Sequence, residues 1–279
     1  MDILNIDSET VYAVGDIHGC FNNLVGMIKD YNITDSVIIC CGDCGLGFST
    51  PEGTKNELFK LNKICREKHN KVFMVRGNHD NPEYFEKGLI NTKYIIAVPD
   101  YSVIRQPFKP YGNILCVGGA TSIDRLNRLA NKEINVRHYM KYHPGCTIEE
   151  AKDRTSDGYW ENEAPVYNED ALNIIKNEGI DINHVITHTC PSFCDPIHKN
   201  GLEYWINSDP GLVEVIDNER NVMDKLYNKL ISDGHHLESW TYGHYHRHSS
   251  QTYNNIKFTM LDAITTYNTR IDWIEIKMI

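Results

Sequence analysis

Five short groups of Asp, His and Asn recur along the sequence, each placed just after a run of β-favouring residues. They are Asp16-Ile17-His18, Asp43, Asn78-His79-Asp80, His188 and His244-Tyr245-His246. These side chains offer oxygen and nitrogen ligands of borderline hardness, which suit Mn, Fe, Zn, Ni or Co better than Ca. Seven candidates (Asp16, His18, Asp43, Asn78, His188, His244 and His246) are too many for one tetrahedral ion. They suit two ions sharing a bridge, with positions left for water and substrate. A carboxylate is the natural bridge, and Asp43 is the expected one. Two ions about 3.5–4 Å apart lower the pKa of a bridging water and hold the attacking and leaving oxygens of a phosphoryl centre.

The apolar pattern indicates the elements that position these groups. Val11-Tyr12-Ala13-Val14 reads as a strand that ends at Gly15-Asp16. Leu24, Met27, Ile28 and Tyr31 follow at i, i+3, i+4, i+7, a helix face. Val37 to Cys41 reads as a buried strand ending at Gly42-Asp43. Leu58, Leu61 and Cys65 mark a helix, closed by Arg66 and Lys68, and 71–75 a third strand ending at Arg76-Gly77-Asn78-His79-Asp80. The first 80 residues therefore read βαβαβ, which argues for an α/β sheet. Further strands are expected at 94–98, 114–117, 184–187, 239–242, 256–260 and 271–276, with helices at 169–178 and 212–231. The stretch 125–167 is polar and aromatic without a clean period, and reads as an insertion overhanging the crevice. No linker-like segment divides the chain, so 1–279 reads as one domain. In open α/β sheets ligands sit beyond the carboxyl ends of strands, so five such ends from one sheet would surround one crevice.

Composition removes several classes. The longest apolar runs fall far short of the ~20 residues of a membrane span. The first seven residues, with Asp2 and Asp7, carry acids where a signal peptide carries bases. Nine cysteines, an odd number, argue against a disulfide framework and for reduced thiols in the cytoplasm. The net charge of −10 disfavours nucleic acid as a partner, but not a small anionic substrate.

Gly15-Asp16-Ile17-His18-Gly19, Gly42-Asp43, Gly77-Asn78-His79-Asp80, Thr187-His188-Thr189 and Gly243-His244-Tyr245-His246 resemble, in order, the five blocks of the calcineurin-like metallophosphoesterases. The resemblance runs from residue 11 to about 260. It implies a four-layer α/β/β/α sandwich of two mixed β-sheets flanked by helices. It also implies that Asp16, His18 and His246 hold one metal, that Asn78, His188 and His244 hold the other, and that Asp43 bridges. His79 resembles the family's general acid, with Asp80 its orienting partner. The implied reaction is hydrolysis of a phosphate mono- or diester by a metal-bound hydroxide, the metals being two di- or trivalent ions. The glycines fit independently, since tight turns beside an ion need a permissive backbone and leave little room for side chains.

One block departs from the pattern. The family often carries Gly-Asp-x-x-Asp-Arg-Gly, whereas this chain has Gly42-Asp43-Cys44-Gly45-Leu46-Gly47, which argues against the usual protein serine/threonine phosphatase activity. The variant, with Gly118-Gly119-Ala120-Thr121-Ser122-Ile123-Asp124-Arg125, is similar to bacterial and phage members. Arg76 or Arg125 is then the expected phosphate contact. The other eight histidines, His198 among them, read as surface or structural residues. Cys40 and Cys41 sit inside a strand and point to opposite faces, which argues against a thiolate metal site. Two alternatives stay open: a nuclease of the same fold, and a metal-binding scaffold without activity.

Overall fold

Runs of buried β-branched residues place the strands, and their positions divide them between two sheets. The computed structural model describes residues 1–8, 10–107, 112–155, 159–194, 202–265 and 269–278. With strands numbered in chain order, the larger sheet runs β1 (Ile3–Asn5), β6 (Ser102–Arg105), β7 (Asn113–Val117), β8 (Ile182–Thr187), β9 (Ser239–Tyr242), β11 (Ile256–Met260), β10 (Ser249–Tyr253). The smaller runs β12 (Trp273–Lys277), β2 (Thr10–Val14), β3 (Ser36–Cys40), β4 (Lys71–Met74), β5 (Ile95–Ala97). Both are mixed. The β2–β3–β4–β5 core is parallel with β12 antiparallel at its edge. The larger sheet has antiparallel pairs at β6–β7 and β10–β11. Strands β3, β7 and β8 are buried at every position, as strands covered on both faces must be.

Three apolar clusters show the layering. Val11, Ala13, Val37, Ile39 and Phe73 of the smaller sheet meet Ile104, Ile114, Cys116 and Ile186 of the larger between the sheets. On the outer face of the smaller sheet, Val14, Ile38 and Met74 pack against α1 (Phe21–Asp30), α3 (Phe59–Lys68) and α4 (Pro82–Glu86). The short α2 (Pro51–Glu57) precedes α3. On the outer face of the larger sheet, Leu115, Val185 and Trp240 pack against α7 (Glu169–Asn177) and α9 (Leu212–Ser232). This is the four-layer arrangement that the resemblance implied. Cys40 belongs to the outer cluster and Cys41 to the inter-sheet cluster, so adjacent cysteines do face opposite ways. All nine cysteines are free thiols.

The stretch 125–167 differs from a periodless excursion. It forms the 18-residue helix α5 (Arg125–Tyr142) and then α6 (Ile148–Arg154); α8 (Leu202–Ser208) comes later. Only Val136 of α5 is buried, so no apolar stripe marks it. Pairs at i, i+4, Asp124–Arg128 and Glu133–Arg137, support it instead. Helix α6 opens with a capping box, Thr147 to Glu150. No helix among the described residues is long and apolar enough to cross a membrane.

Candidate metal centre

Strands β2, β3 and β4 end side by side in the smaller sheet, and β8 and β9 end side by side in the larger. The five groups thus come from two facing sheets rather than one, yet they meet in one crevice. Their loops are tied together by backbone bonds: His18 N–H to Asp43 O (2.8 Å), Gly19 N–H to Cys44 O (2.9 Å) and Gly243 N–H to His188 O (3.2 Å). Two glycines are dictated by this closeness. Gly42 has φ +102°, and a Cβ there would stand 2.1 Å from His188 Nδ1; a Cβ on Gly77 would stand 2.1 Å from Asp43 Oδ1.

Donor atoms of Asp16, His18, Asp43 and His246 all lie within 4.8 Å of one another. His18 Nε2 and His246 Nε2 are 3.3 Å apart, and His246 Nε2 is 3.5 Å from Asp16 Oδ2. A second group adjoins it. Asn78 Oδ1 is 3.1 Å from His188 Nε2 and 3.0 Å from His244 Nδ1, and His188 Nε2 is 3.2 Å from Asp43 Oδ1. Asp43 thus faces both groups, Oδ1 toward His188 and Oδ2 toward His18 (4.0 Å). His18, Asp43, His244 and His246 all have positive φ (43°, 46°, 70° and 51°). Strain of this kind at non-glycine residues persists where surrounding structure imposes it, and it concentrates at functional sites. His244 and His246 lie in the bend after β9, outside the strand.

The donor set fits cations. His188 Nδ1 donates to the Cys41 carbonyl at 2.7 Å, which leaves Nε2 facing two oxygens, Asn78 Oδ1 and Asp43 Oδ1. Something positive must sit there, either a second proton or a metal. Burial disfavours the charged ring, yet Asp43 and Asp16 raise His188 to about 9. Burial would likewise raise Asp43, but His188, His79 and His18 hold it well below the usual carboxylate range. The Asn78 amide is oriented by its Nδ2 donating to Ser122 Oγ (3.0 Å), so that Oδ1 faces the histidines. Ser122 Oγ and N–H both donate to Glu163 (2.8 and 2.6 Å). Burial pushes Glu163 up to about 8 against those bonds.

His79 borders the centre without joining either donor group. Its backbone N–H donates to Asp43 Oδ1 (2.9 Å), its Nε2 lies 3.9 Å from Asp43 Oδ2, and its ring is partly open to solvent. Both Asp80 oxygens accept from backbone groups. Its Oδ1 accepts from the N–H groups of Gly45 and Leu46 (both 2.8 Å), its Oδ2 from Cys44 (3.0 Å) and Gly77 (2.9 Å). It staples the Asp43 loop to the Asn78 loop. Burial, with Asp43 adding, raises Asp80 to about 6.

The two arginines expected at the phosphate are committed elsewhere. Arg76 is buried, pairs with Asp100 (2.8 Å) and donates to the carbonyls of Asn162 and Glu163 (3.3 and 2.6 Å). Arg125 forms a two-pronged pair with Asp209 (2.5 and 3.1 Å). One turn further along α5, Arg128 Nη2 lies 3.5 Å from His79 Nε2. Sequence reasoning missed Arg128, Glu163, the buried Glu219 and its half-buried neighbour Arg220. Glu219 accepts from Thr121 N–H and Thr189 Oγ1, and Arg220 donates to Tyr245 OH (2.7 Å), so together they brace the loops around His188 and His246. Ser122 lies in the Gly118–Arg125 stretch singled out above; nothing local marked the others. His248 pairs with Asp272 and His184 with Ser239, away from the centre; His198 lies outside the described residues.

A comparison with curated proteins gives no match. Among solved structures, a dimetal phosphatase from Danio rerio is 13% identical, covering 92% of this chain and 88% of that one, with a TM-score of 0.45. A phosphopantetheinyl hydrolase from Mycobacterium tuberculosis is 14% identical, covering 95% of each, with a TM-score of 0.42. The sequence model of the calcineurin-like phosphoesterases matches residues 9–258, across every strand that carries a donor group, and the chain belongs to that family.

Proposed function

We propose that this chain is a dinuclear metal-dependent hydrolase of small phosphate mono- or diesters. The observation that supports it most is Asp43, whose two oxygens face two separate groups of donors. In this reading Asp16, His18 and His246 hold one ion, Asn78, His188 and His244 the other, and Asp43 both. When bound, the ions supply Lewis-acid polarisation of the phosphoryl oxygens and an acidified water nucleophile.

The chain's own residues do the rest. His79 stands at the rim and protonates the leaving-group oxygen through Nε2. Arg128, paired with Asp124 but with Nη2 beside that nitrogen, replaces Arg76 and Arg125 as the cation nearest the reacting phosphate. Ser122 and Glu163 hold the Asn78 amide with its oxygen inward, and Asp80 holds the Asp43 loop. None of the seven ligand positions carries a residue unable to coordinate, which separates this reading from a scaffold with a degenerate centre. The net charge of −10 favours a small ester over a long polyanion.

The test is metal analysis of protein reloaded with Mn, Co, Ni, Zn or Fe, followed by turnover of mono- and bis-p-nitrophenyl phosphate. Two ions per chain and hydrolysis of at least one ester are expected. His79→Ala should keep both ions and lose about 10²- to 10⁴-fold in rate, the usual contribution of a general acid. A His79→Ala protein that loses its metals, or keeps its rate, removes His79 from that role.

A further inference from the structure

A cleft of about 1070 Å³ opens beside the metal centre, between the loop 47–51 and one face of α5. Phe48 in its wall stands against Gly19, the residue after His18. Trp160 packs beside Gly47, which abuts Asn81, two residues beyond His79. Along α5, Arg128, Lys132, Asn135 and Tyr139 recur at i, i+4, i+7 and i+11 and share one face. Arg128 reaches His79, and the other three line the cleft. This face runs outward from the metal centre for about 16 Å at 1.5 Å per residue.

Two kinds of group meet here. Arg128, which also pairs with Asp124, and Lys132 are the cations of this α5 face. Tyr139, stacked on His143 with centroids 4.0 Å apart, Trp160 and Phe48 are aromatic rings of the cleft wall. Among the described residues no acid pairs with Lys132 or Lys152, and Glu83, the one acid in the described lining, is already paired with Lys87. The cleft is thus locally positive in a protein of net charge −10. Helix α5 buries Val136 alone, so its cleft-facing residues are not spent on core packing.

We propose that this cleft is the leaving-group subsite and binds a nucleotide, its phosphate between Arg128 and Lys132 and its base against the Tyr139, Trp160 and Phe48 rings. A sugar phosphate or phosphoserine offers no planar ring to these walls, and a nucleic-acid strand is disfavoured by the overall charge. The leaving-group role rests on the phosphoesterase reading; nucleotide binding does not. With a nucleoside diphosphate, water adds to the terminal phosphorus and the bond to the bridging oxygen breaks, its electron pair staying on that oxygen, which takes a proton from His79 Nε2. The proton released by the added water restores His79, and inorganic phosphate and nucleoside monophosphate leave, Arg128 and Lys132 offsetting the remaining charge of the monophosphate.

The experiment compares AMP and glycerol phosphate on the full chain. First, calorimetric binding to metal-stripped protein should give saturable AMP binding, at least about tenfold tighter than glycerol phosphate. Trp160→Ala and Lys132→Ala should each weaken AMP by about tenfold, the size of a lost base stack or phosphate contact. Second, in metal-loaded protein both variants should lower the ratio of kcat/KM for ADP to that for glycerol phosphate by a similar factor. Where either alanine variant lowers the thermal midpoint, Trp160→Phe and Lys132→Arg replace it and should retain AMP binding. AMP binding no tighter than glycerol phosphate, or indifferent to both positions, overturns the nucleotide cleft even if glycerol phosphate is hydrolysed. A protein that binds AMP as expected but hydrolyses no ester overturns the phosphoesterase reading, and the leaving-group role with it.

Discussion

Asp80→Asn separates two jobs for the same carboxylate, orienting His79 or holding the Asp43 and Asn78 loops together. In the structure each oxygen accepts two backbone N–H groups, at 2.8–3.0 Å. Asparagine replaces one oxygen by an NH₂ group, which turns two of the four bonds into donor–donor contacts. Bonds to a charged acceptor are worth about 1.5–3 kcal/mol each, and buried donors left unpaired carry a similar cost. Some of that loss is returned, because the variant no longer buries a charge; burial and Asp43 already raise Asp80 to about 6. The net expectation is a loss of roughly 2–4 kcal/mol in the metal-free protein, or about 5–15 °C in thermal midpoint for a chain of this size. Because the Cys44–Leu46 amides follow directly on Asp43, metal affinity should fall about ten- to a hundredfold, as for other residues that position ligands. Thermal unfolding followed by circular dichroism and metal competition against a chelator read both quantities. If the midpoint and affinity stay at wild-type values while the rate at saturating metal falls, Asp80 acts on His79 and the staple is wrong.

Three further outcomes follow from particular contacts. Asp43→Asn should bind fewer than two ions per chain by elemental analysis and lose activity with them; full two-ion loading removes the bridging role. Glu163 binds its proton more tightly folded (about 8) than unfolded (~4.3), so its contribution to stability is full below pH ~4 and is lost as pH rises toward 8. In metal-free protein, Glu163→Gln should therefore flatten the fall in unfolding free energy between pH 5 and 8, by an amount on the order of 2–4 kcal/mol; parallel profiles for variant and wild type refute this. Arg76→Met leaves Asp100 and two carbonyls without their buried partner, and should cost about 3–5 kcal/mol while leaving inhibition by inorganic phosphate unchanged. Weaker phosphate inhibition at an unchanged thermal midpoint would return Arg76 to the substrate.

What was legible in the sequence was what short range controls. Each proposed ligand follows a strand whose β-branched and aromatic residues are readable on their own, so the positions of Asp16, Asp43, Asn78, His188 and His244 needed only the turn after it. Strands without such runs escaped: β10, Ser249–Tyr253, is mostly exposed, and β1 and β6 are only three and four residues long. Helix α5 escaped because hydrophobic periodicity registers a buried stripe, and α5 buries one residue. The arginines failed for a different reason. A cation beside a metal motif looks free until its partner is known, and the partners of Arg76 and Arg125 lie 24 and 84 positions away. The same distance hid the supports of the centre, since Ser122 reaches Asn78 across 44 positions and Glu163 reaches Ser122 across 41. The proposed ligands are thus placed by local turns, whereas their orientation and the surrounding charge are set by segments far off in the chain. On the proposed reading, substrate choice can change through α5 and the 160–164 stretch while every strand-end donor stays in place.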